Sequence, residues 1–257
     1  SGNTTATSMI KPLRVIMPLY NEEIYFIVRA DSDRNYVHDI KNAKINAGEF
    51  GSGTALTSST LYRLMFGEPM PDANATYLSN EEALAKLVTD KTVDVVAVVA
   101  GQPAKLLVDM KPESRQLIKL LKFDPNHASS KAVLKTYFAA NVLASNYPNL
   151  LTADLPGLAV KAFLVTYDFQ VKGTESHLRQ MARSLCQNFS TLQEKGHPKW
   201  REVNLALPEL GRGWFYYAPT AREIRACLAG ELNAGSPAVS PVGKACPQQE
   251  RILGLCK

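Results

Sequence analysis

The octapeptide VDVVAVVA, Val93 to Ala100, carries no charge after Asp94 and never alternates apolar with polar residues. A strand with one wet face alternates, so an unbroken β-branched run reads as a strand covered on both sides. The flanking sequence supplies strands and covering helices in turn. LRVIMPLY and IYFIVRA read as two apolar strands interrupted by Pro18 and the polar Asn21-Glu22-Glu23, and KINAGEF as a third. A helix follows from Thr54. Another lies in YLSNEEALAKLVTD, where Ser79 and Glu82 have capping-box spacing and Ala83, Leu84 and Leu87 share a face. Beyond the octapeptide, AKLLVDM reads as helix, LIKLLKF as strand, AVLKTYFAANVLA as helix, VKAFLVTYDF as strand, and Glu175 to Glu194 as one long helix. Strands that alternate with helices predict an α/β fold whose sheet is mostly parallel, with crossover helices on both faces. Val93 to Val99 should then be fully buried, and Thr54 should lie in the first turn of its helix.

In such sheets ligands sit outside the carboxyl ends of the strands, where Gly51 to Thr54 and Gly101-Gln102-Pro103 both fall. The stretch NAGEFGSGTALTSSTLYRLMF, Asn46 to Phe66, passes from a short strand through Gly51-Ser52-Gly53 into a helix with almost no pause. The first N–H groups of a helix have no internal acceptor. Together with the Ser52 and Thr54 hydroxyls they can hold a carboxylate, phosphate or sulfonate, and glycine lets it approach closely. The same pattern fits an ordinary capped helix after a flexible turn. It is neither a Walker A loop, since no Gly-Lys-Ser/Thr follows, nor a G-x-G-x-x-G fingerprint.

Of the 257 residues, 46% are hydrophobic and 21% charged, enough for one large domain or two lobes sharing a hinge. The 29 basic and 24 acidic residues are spread without blocks of like charge, so no nucleic-acid partner is indicated. No apolar run reaches the length of a membrane span, and SGNTTATSM is polar, unlike a signal peptide. Cys186, Cys227, Cys246 and Cys256 form no CxxC pair, and His38, His127, His177 and His197 are scattered, so neither a metal site nor a cofactor is expected. An even cysteine count, with two in ACPQQERILGLCK, suits a disulfide pinning a tail in an oxidising compartment. Connectivity stays open, and four unconnected thiols fit the spacing equally. At least one disulfide is the expectation carried forward.

In order and spacing, LYNEEIYFIVRADS, KINAGEFGSGTALTSSTL, YLSNEEALAKLVTDKTVDVVAVVAGQP and LIKLLKFD closely resemble the TAXI class of TRAP-transporter solute receptors. The likeness is good from Leu13 to Asp124 and looser to about Gln193. Its most specific elements are Leu19-Tyr20-x-Glu22, Gly51-Ser52-Gly53-Thr54 and Ala100-Gly101-Gln102-Pro103. The resemblance implies a type II periplasmic-binding-protein fold: two α/β lobes closing by a hinge on a small organic anion such as an amino acid or a carboxylate. It implies a periplasmic or extracytoplasmic place and TRAP-type membrane subunits as partners. Members of the class carry most of a first lobe ahead of the Leu-Tyr-x-Glu strand, including a Thr-Gly-Gly loop on the opposite wall of the cleft, so the first lobe is expected to be incomplete here. On this reading residues 1–12 are an unstructured or cloning-derived start, 13–232 the binding-protein-like domain, and 233–257 a Pro/Gly/Ser-containing tail. A cut-down receptor domain could serve instead as a sensory or envelope interaction module, with another envelope protein as its partner.

The candidate ligand residues are Gly51, Ser52, Gly53, Thr54, Tyr20, Glu22 and Gln102. Each has a plainer reading beside the functional one. Tyr20 and Glu22 fit ligand orientation or the hinge, and Tyr20 fits a core tyrosine with a bonded hydroxyl. Gln102 can reach the cleft or cap the following helix. The aromatic cluster RGWFYYAPT, Arg212 to Thr220, fits stacking on a ligand or filling between a C-terminal helix and the core. Ser52 lies outside any G-x-S-x-G motif and no histidine has a partner-like context, so the chain does not read as an enzyme.

Overall fold

The computed structural model describes residues 11–211 and 213–230. Its centre is a seven-stranded sheet built on β1 (Leu13–Arg29), a single strand of 17 residues. The other strands are β2 (Ile45–Asn46), β3 (Ala75–Thr76), β4 (Val95–Ala100), β5 (Ile118–Leu120), β6 (Phe138–Val142) and β7 (Leu155–Tyr167). The order is β3-β2-β4-β1-β7-β6, with β5 beside β1 past the end of the β7 ladder. Helices α1 (Gly53–Phe66), α2 (Asn80–Val88), α3 (Lys105–Val108) and α4 (Ser130–Val133) follow in sequence, then α5 (Lys172–Gln187), α6 (Phe189–Lys195) and α7 (Ala218–Leu228).

The fold is α/β, yet the expected parallel sheet is corrected. Only β2 runs parallel to its neighbours, β3 and β4. β1 is antiparallel to β4, β5 and β7, and β6 is antiparallel to β7. Alternation of strand and helix counts layers but does not encode direction, and here the longest strand enters the centre of the sheet against the run of β4. Burial of β4 does not need parallel neighbours, only cover on both faces. Val95 and Ala97 face the layer containing Leu61, Tyr62 and Met65 of α1, while Val96 and Val98 face Ala83 and Leu87 of α2 with Leu107 of α3. Val93 and Val95 to Val98 are at most 4% exposed; Asp94 and Val99 are half-buried, so the expected full burial is interrupted at Asp94 and stops short of Val99.

Several boundaries differ from the sequence reading for local reasons. The two expected N-terminal strands are one, and the ladder to β7 shifts register between Val15 and Met17 and again between Pro18 and Asn21. Proline lacks the N–H for a regular ladder, and an irregularity accommodates it without ending the strand. KINAGEF contributes only Ile45–Asn46 as strand. AVLKTYFAANVLA was expected as a helix; it gives the single turn of α4 and then β6, because Phe138 to Val142 pair with β7. Helix-favouring alanines lose there to cross-strand pairing. The long C-terminal helix breaks at Asn188, dividing α5 from α6.

The β1–β7 ladder continues beyond the main layers into a smaller body. There Ile16 and Met17 pack with Ala182 of α5, Ile224 of α7, Val203 and Leu205. Cys186 of α5 is joined to Cys227 of α7 by a disulfide, so one bridge forms as expected, though not in the tail. Cys246, Cys256 and the expected tail 233–257 lie outside the described residues. Arg183 and Arg179 hydrogen-bond the buried carboxylate of Glu223 and, against the opposing effect of burial, hold it below the usual carboxylate range. In the aromatic cluster Tyr217 is buried and fills the gap as expected, but Trp214 and Phe215 are exposed.

Candidate functional site

The parallel pair β2 and β4 brings the two candidate loops to one end of the sheet. At the first, Ser52 caps α1, its Oγ accepting the Ala55 N–H at 3.1 Å, and Thr54 stands in the first turn as expected. The N–H groups of Gly53 and Thr54 meet no acceptor among the described residues. Nothing lies within 4 Å of where a Cβ on Gly51 or Gly53 would be, so the helix start opens on solvent. Behind it, Gly48 (φ +95°) would place a Cβ 2.6 Å from Thr54 Cγ2 and 2.7 Å from its Cβ. Gly48→Ala should therefore cost about 1 to 3 kcal/mol in urea unfolding, because both the backbone angle and the contact oppose a side chain. A loss of less than 0.5 kcal/mol (roughly the scatter at neutral surface sites) would show that the loop rearranges freely.

Asn46, fully buried, fixes this junction. Its Oδ1 accepts the Leu78 N–H at 2.8 Å and the Thr76 hydroxyl at 3.2 Å, while Nδ2 donates to Leu78 O. It links β2, β3 and the approach to α2. The sequence reading missed it, although a lone asparagine at the end of an apolar strand was the available signal.

Neighbouring residues of β1 divide the other candidates between the two faces. Glu22 pairs with Val160, which packs into the layer shared with α1, so Glu22 lies on the α1 side. Burial, then the nearby Glu23 charge, raise the Glu22 pKa against an opposing pull from Lys199. Glu23 pairs with Ala100 on the opposite layer. There it accepts the Gln102 N–H at 2.7 Å, Gln102 Nε2 at 3.1 Å and Lys199 Nζ at 2.8 Å.

Gln102 belongs to this second cluster, and its side-chain amide is fully engaged. Nε2 donates to Glu23 and to Asn141 O, while Oε1 accepts from Leu143 N and Asn146 Nδ2. Tyr20 lies alongside: its Cε2 is 3.4 Å from where a Cβ on Gly101 would be, and Lys199 Cγ is 3.0 Å from the same point. Lys199 and Glu23 are 2% and 3% exposed, making this a buried ion pair extended by Glu202 at 3.0 Å. Burial alone would lower the Lys199 pKa; the bonds to Glu23 and Glu202 outweigh it and raise the value above that of a free lysine. Sequence reasoning found neither partner, since 176 residues separate them. Beneath the cluster, Tyr25 and Tyr147 share a 2.8 Å hydroxyl contact, and Ala104 N–H donates to Tyr147 Oη.

Two different chemistries result. The α1 start offers free donors to an anion, whereas the Glu23–Lys199–Gln102 cluster is internally satisfied and joins β1, the turn after β4 and the smaller body. Among the described residues no three His, Cys, Asp or Glu side chains gather as metal ligands, and no helix is long and apolar enough to cross a membrane.

A mixed α/β sheet domain with an open helix start at one sheet end is the class this architecture defines. The chain belongs to the NMT1-like family, whose model matches residues 1–211. Among solved structures it is similar to the periplasmic sulfonate-binding protein SsuA of a sulfonate ABC transporter from Methylobacillus flagellatus KT. The identity is 14% and the TM-score 0.39, over 82% of this chain and 52% of that one. It is also similar to a TctC solute binding protein from Polaromonas, at 16% identity and TM-score 0.32, over 86% of this chain and 60% of that one. The chain thus spans only part of the length of either.

Proposed function

We propose that residues 13–232 form an extracytoplasmic solute-binding domain that captures a small organic anion, an amino acid or a carboxylate, for uptake through TRAP-type membrane subunits, as in the TAXI class. The observation that carries this reading is the α1 start, where the Gly53 and Thr54 N–H groups have no acceptor among the described residues. Gly51 and Gly53 leave the approach open, Ser52 shapes the turn, and the Thr54 hydroxyl adds a donor. Glu22 and Tyr20 bound the same end of the sheet, and Gln102 acts by holding Glu23 and the turn after β4 in place. A helix start contributes only about 0.3 to 2 kcal/mol to an anion, while micromolar affinity needs about 8 kcal/mol, so a second wall facing this loop is required. Binding rather than catalysis fits Ser52, whose Oγ already caps the helix and hydrogen-bonds no histidine among the described residues.

Calorimetric titration with glutamate, succinate and citrate tests the proposal. Binding should weaken roughly tenfold or more in Thr54→Ala, the loss of one hydrogen bond to a charged group. The affinity should also fall as pH rises through the raised Glu22 pKa, because an ionised Glu22 repels the incoming anion. Unchanged affinity in Thr54→Ala would place the anion elsewhere.

A second reading, a sensory or envelope interaction module, is favoured by one specific feature. Phe163, Val165 and Tyr167 of β7 are exposed beside Trp214 and Phe215, with Phe163 stacked on Trp214. Solvent-exposed apolar surface of this kind marks contact sites. Failure of every acid tested to bind would move the function to that face.

A further inference from the structure

A concavity of about 360 Å³ runs along the outer face of α1, lined by Leu56, Ser59, Thr60 and Arg63 on the helix and by Pro69, Met70 and Tyr77 opposite. Its position follows from helical spacing: residues 56, 59, 60 and 63 fall on one stripe of α1, turned away from the Leu61, Tyr62 and Met65 stripe that faces the core. A surface stripe of this kind is normally polar. Here Leu56 is 72% exposed and Tyr77 43%, and Phe50, 87% exposed, meets Tyr77 edge to face at 5.8 Å. Three large apolar side chains are thus in water around one groove. Their Tyr77–Met70 wall is anchored, since Met70 packs partly against the core.

The groove contains one cation, Arg63, whose guanidinium has neither an ion pair nor a side-chain hydrogen bond among the described residues. The nearest acid in sequence, Glu68, is engaged by Lys41 at 3.2 Å. A planar guanidinium at the end of an apolar groove matches a carboxylate bidentately. The volume suits a small molecule, and apolar walls with a few placed polar groups are the usual make-up of a ligand site.

We propose that this groove is a binding site for a monoanionic amphiphile, a carboxylate bearing an apolar tail. Arg63 holds the carboxylate, Ser59 supplies a hydroxyl near it, and the tail lies along Leu56, Met70 and Tyr77 with Phe50 at the open end. This site is separate from the helix start and does not depend on the reading proposed for it.

The test is a methyl NMR titration of the protein with octanoate, read at Leu56 and Met70, beside 1-octanol and acetate at the same concentrations. Octanoate should shift both methyl signals saturably. Acetate, which lacks the tail, and octanol, which lacks the charge, should each bind at least tenfold more weakly. Arg63→Gln should weaken octanoate tenfold or more, whereas Lys195→Gln, which removes an exposed cation from α6, should leave it unchanged. Tyr77→Ser should weaken octanoate and octanol alike, separating the wall from the charge. The fold of each variant is checked by its unshifted Val96 and Val98 signals. Octanol binding as tightly as octanoate, full affinity in Arg63→Gln, or no saturable shift at Leu56 and Met70 would each overturn the proposal.

Discussion

Lys199→Met is expected to cost about 3 to 5 kcal/mol in urea unfolding at pH 7, the loss typical of removing one partner from a buried ion pair. Lys199 and Glu23 have side chains 2% and 4% exposed and meet at 2.8 Å. Without the ammonium, Glu23 keeps the two Gln102 donors but loses the charge that offsets its removal from water. The damage should therefore come mainly from the carboxylate left behind. Glu23→Gln combined with Lys199→Met should recover most of the loss, because a neutral amide in the same place carries no uncompensated charge. The pH dependence has a definite sign. The Lys199 pKa is raised on folding, so its contribution is complete below the ordinary value of 10.5 and disappears as pH climbs through the higher folded value. The wild-type protein should lose stability more steeply in that alkaline window than Lys199→Met, which keeps only the fall from buried tyrosines such as Tyr25 and Tyr147, whose pKa values burial also raises. A loss under 1 kcal/mol (about that of an exposed pair) would show that water reaches the cluster.

What could be read in the chain beforehand divides along physical lines. The β-branched run at Val93 to Val98 specified burial because each residue reports its own surroundings, and the Ser79–Glu82 capping box and the Thr54 helix start are local for the same reason. Strand direction was not legible, because the pairing of β1 with β4, β5 and β7 depends on contacts between distant segments. The segment Phe138 to Val142 shows the conflict directly, since its alanines favour helix and only the β7 edge makes it a strand. Within the candidate site the loop at Gly51 to Thr54 was visible through its glycines and hydroxyls. Glu23 and Lys199 were invisible, because a buried polar residue is recognisable only once its partners are known. Glu22 and Glu23 look equivalent in sequence; strand alternation puts one beside the α1 layer and the other into a closed ionic cluster.

The disulfide between Cys186 and Cys227 should matter nearly as much as the ion pair, and its loss should be felt locally. It closes a loop of 41 residues, for which the chain-entropy relation gives about 4 kcal/mol at 25 °C, within the usual range of about 2 to 4 for native bridges. The body it spans is thinly packed, with Ile16, Met17, Ala182, Val203, Leu205 and Ile224 as its buried core. The Arg179, Arg183 and Glu223 contacts that also join α5 to α7 involve arginines 41% and 46% exposed, so solvent screens much of their effect. The main sheet has two large apolar layers and no need of the bridge. Cys186→Ser with Cys227→Ser should therefore lower stability by about 2 to 4 kcal/mol and speed hydrogen exchange in α5 and α7 while β4 amides stay protected. In the serine variant the two bodies would then unfold in separate steps, and reductant should bring the wild-type protein to the same two-step behaviour by weakening the smaller body alone. A single cooperative transition, with α7 and β4 exchanging together in the serine variant, would show instead that the β1–β7 ladder and the Lys199 cluster couple the two bodies tightly enough to make the bridge redundant.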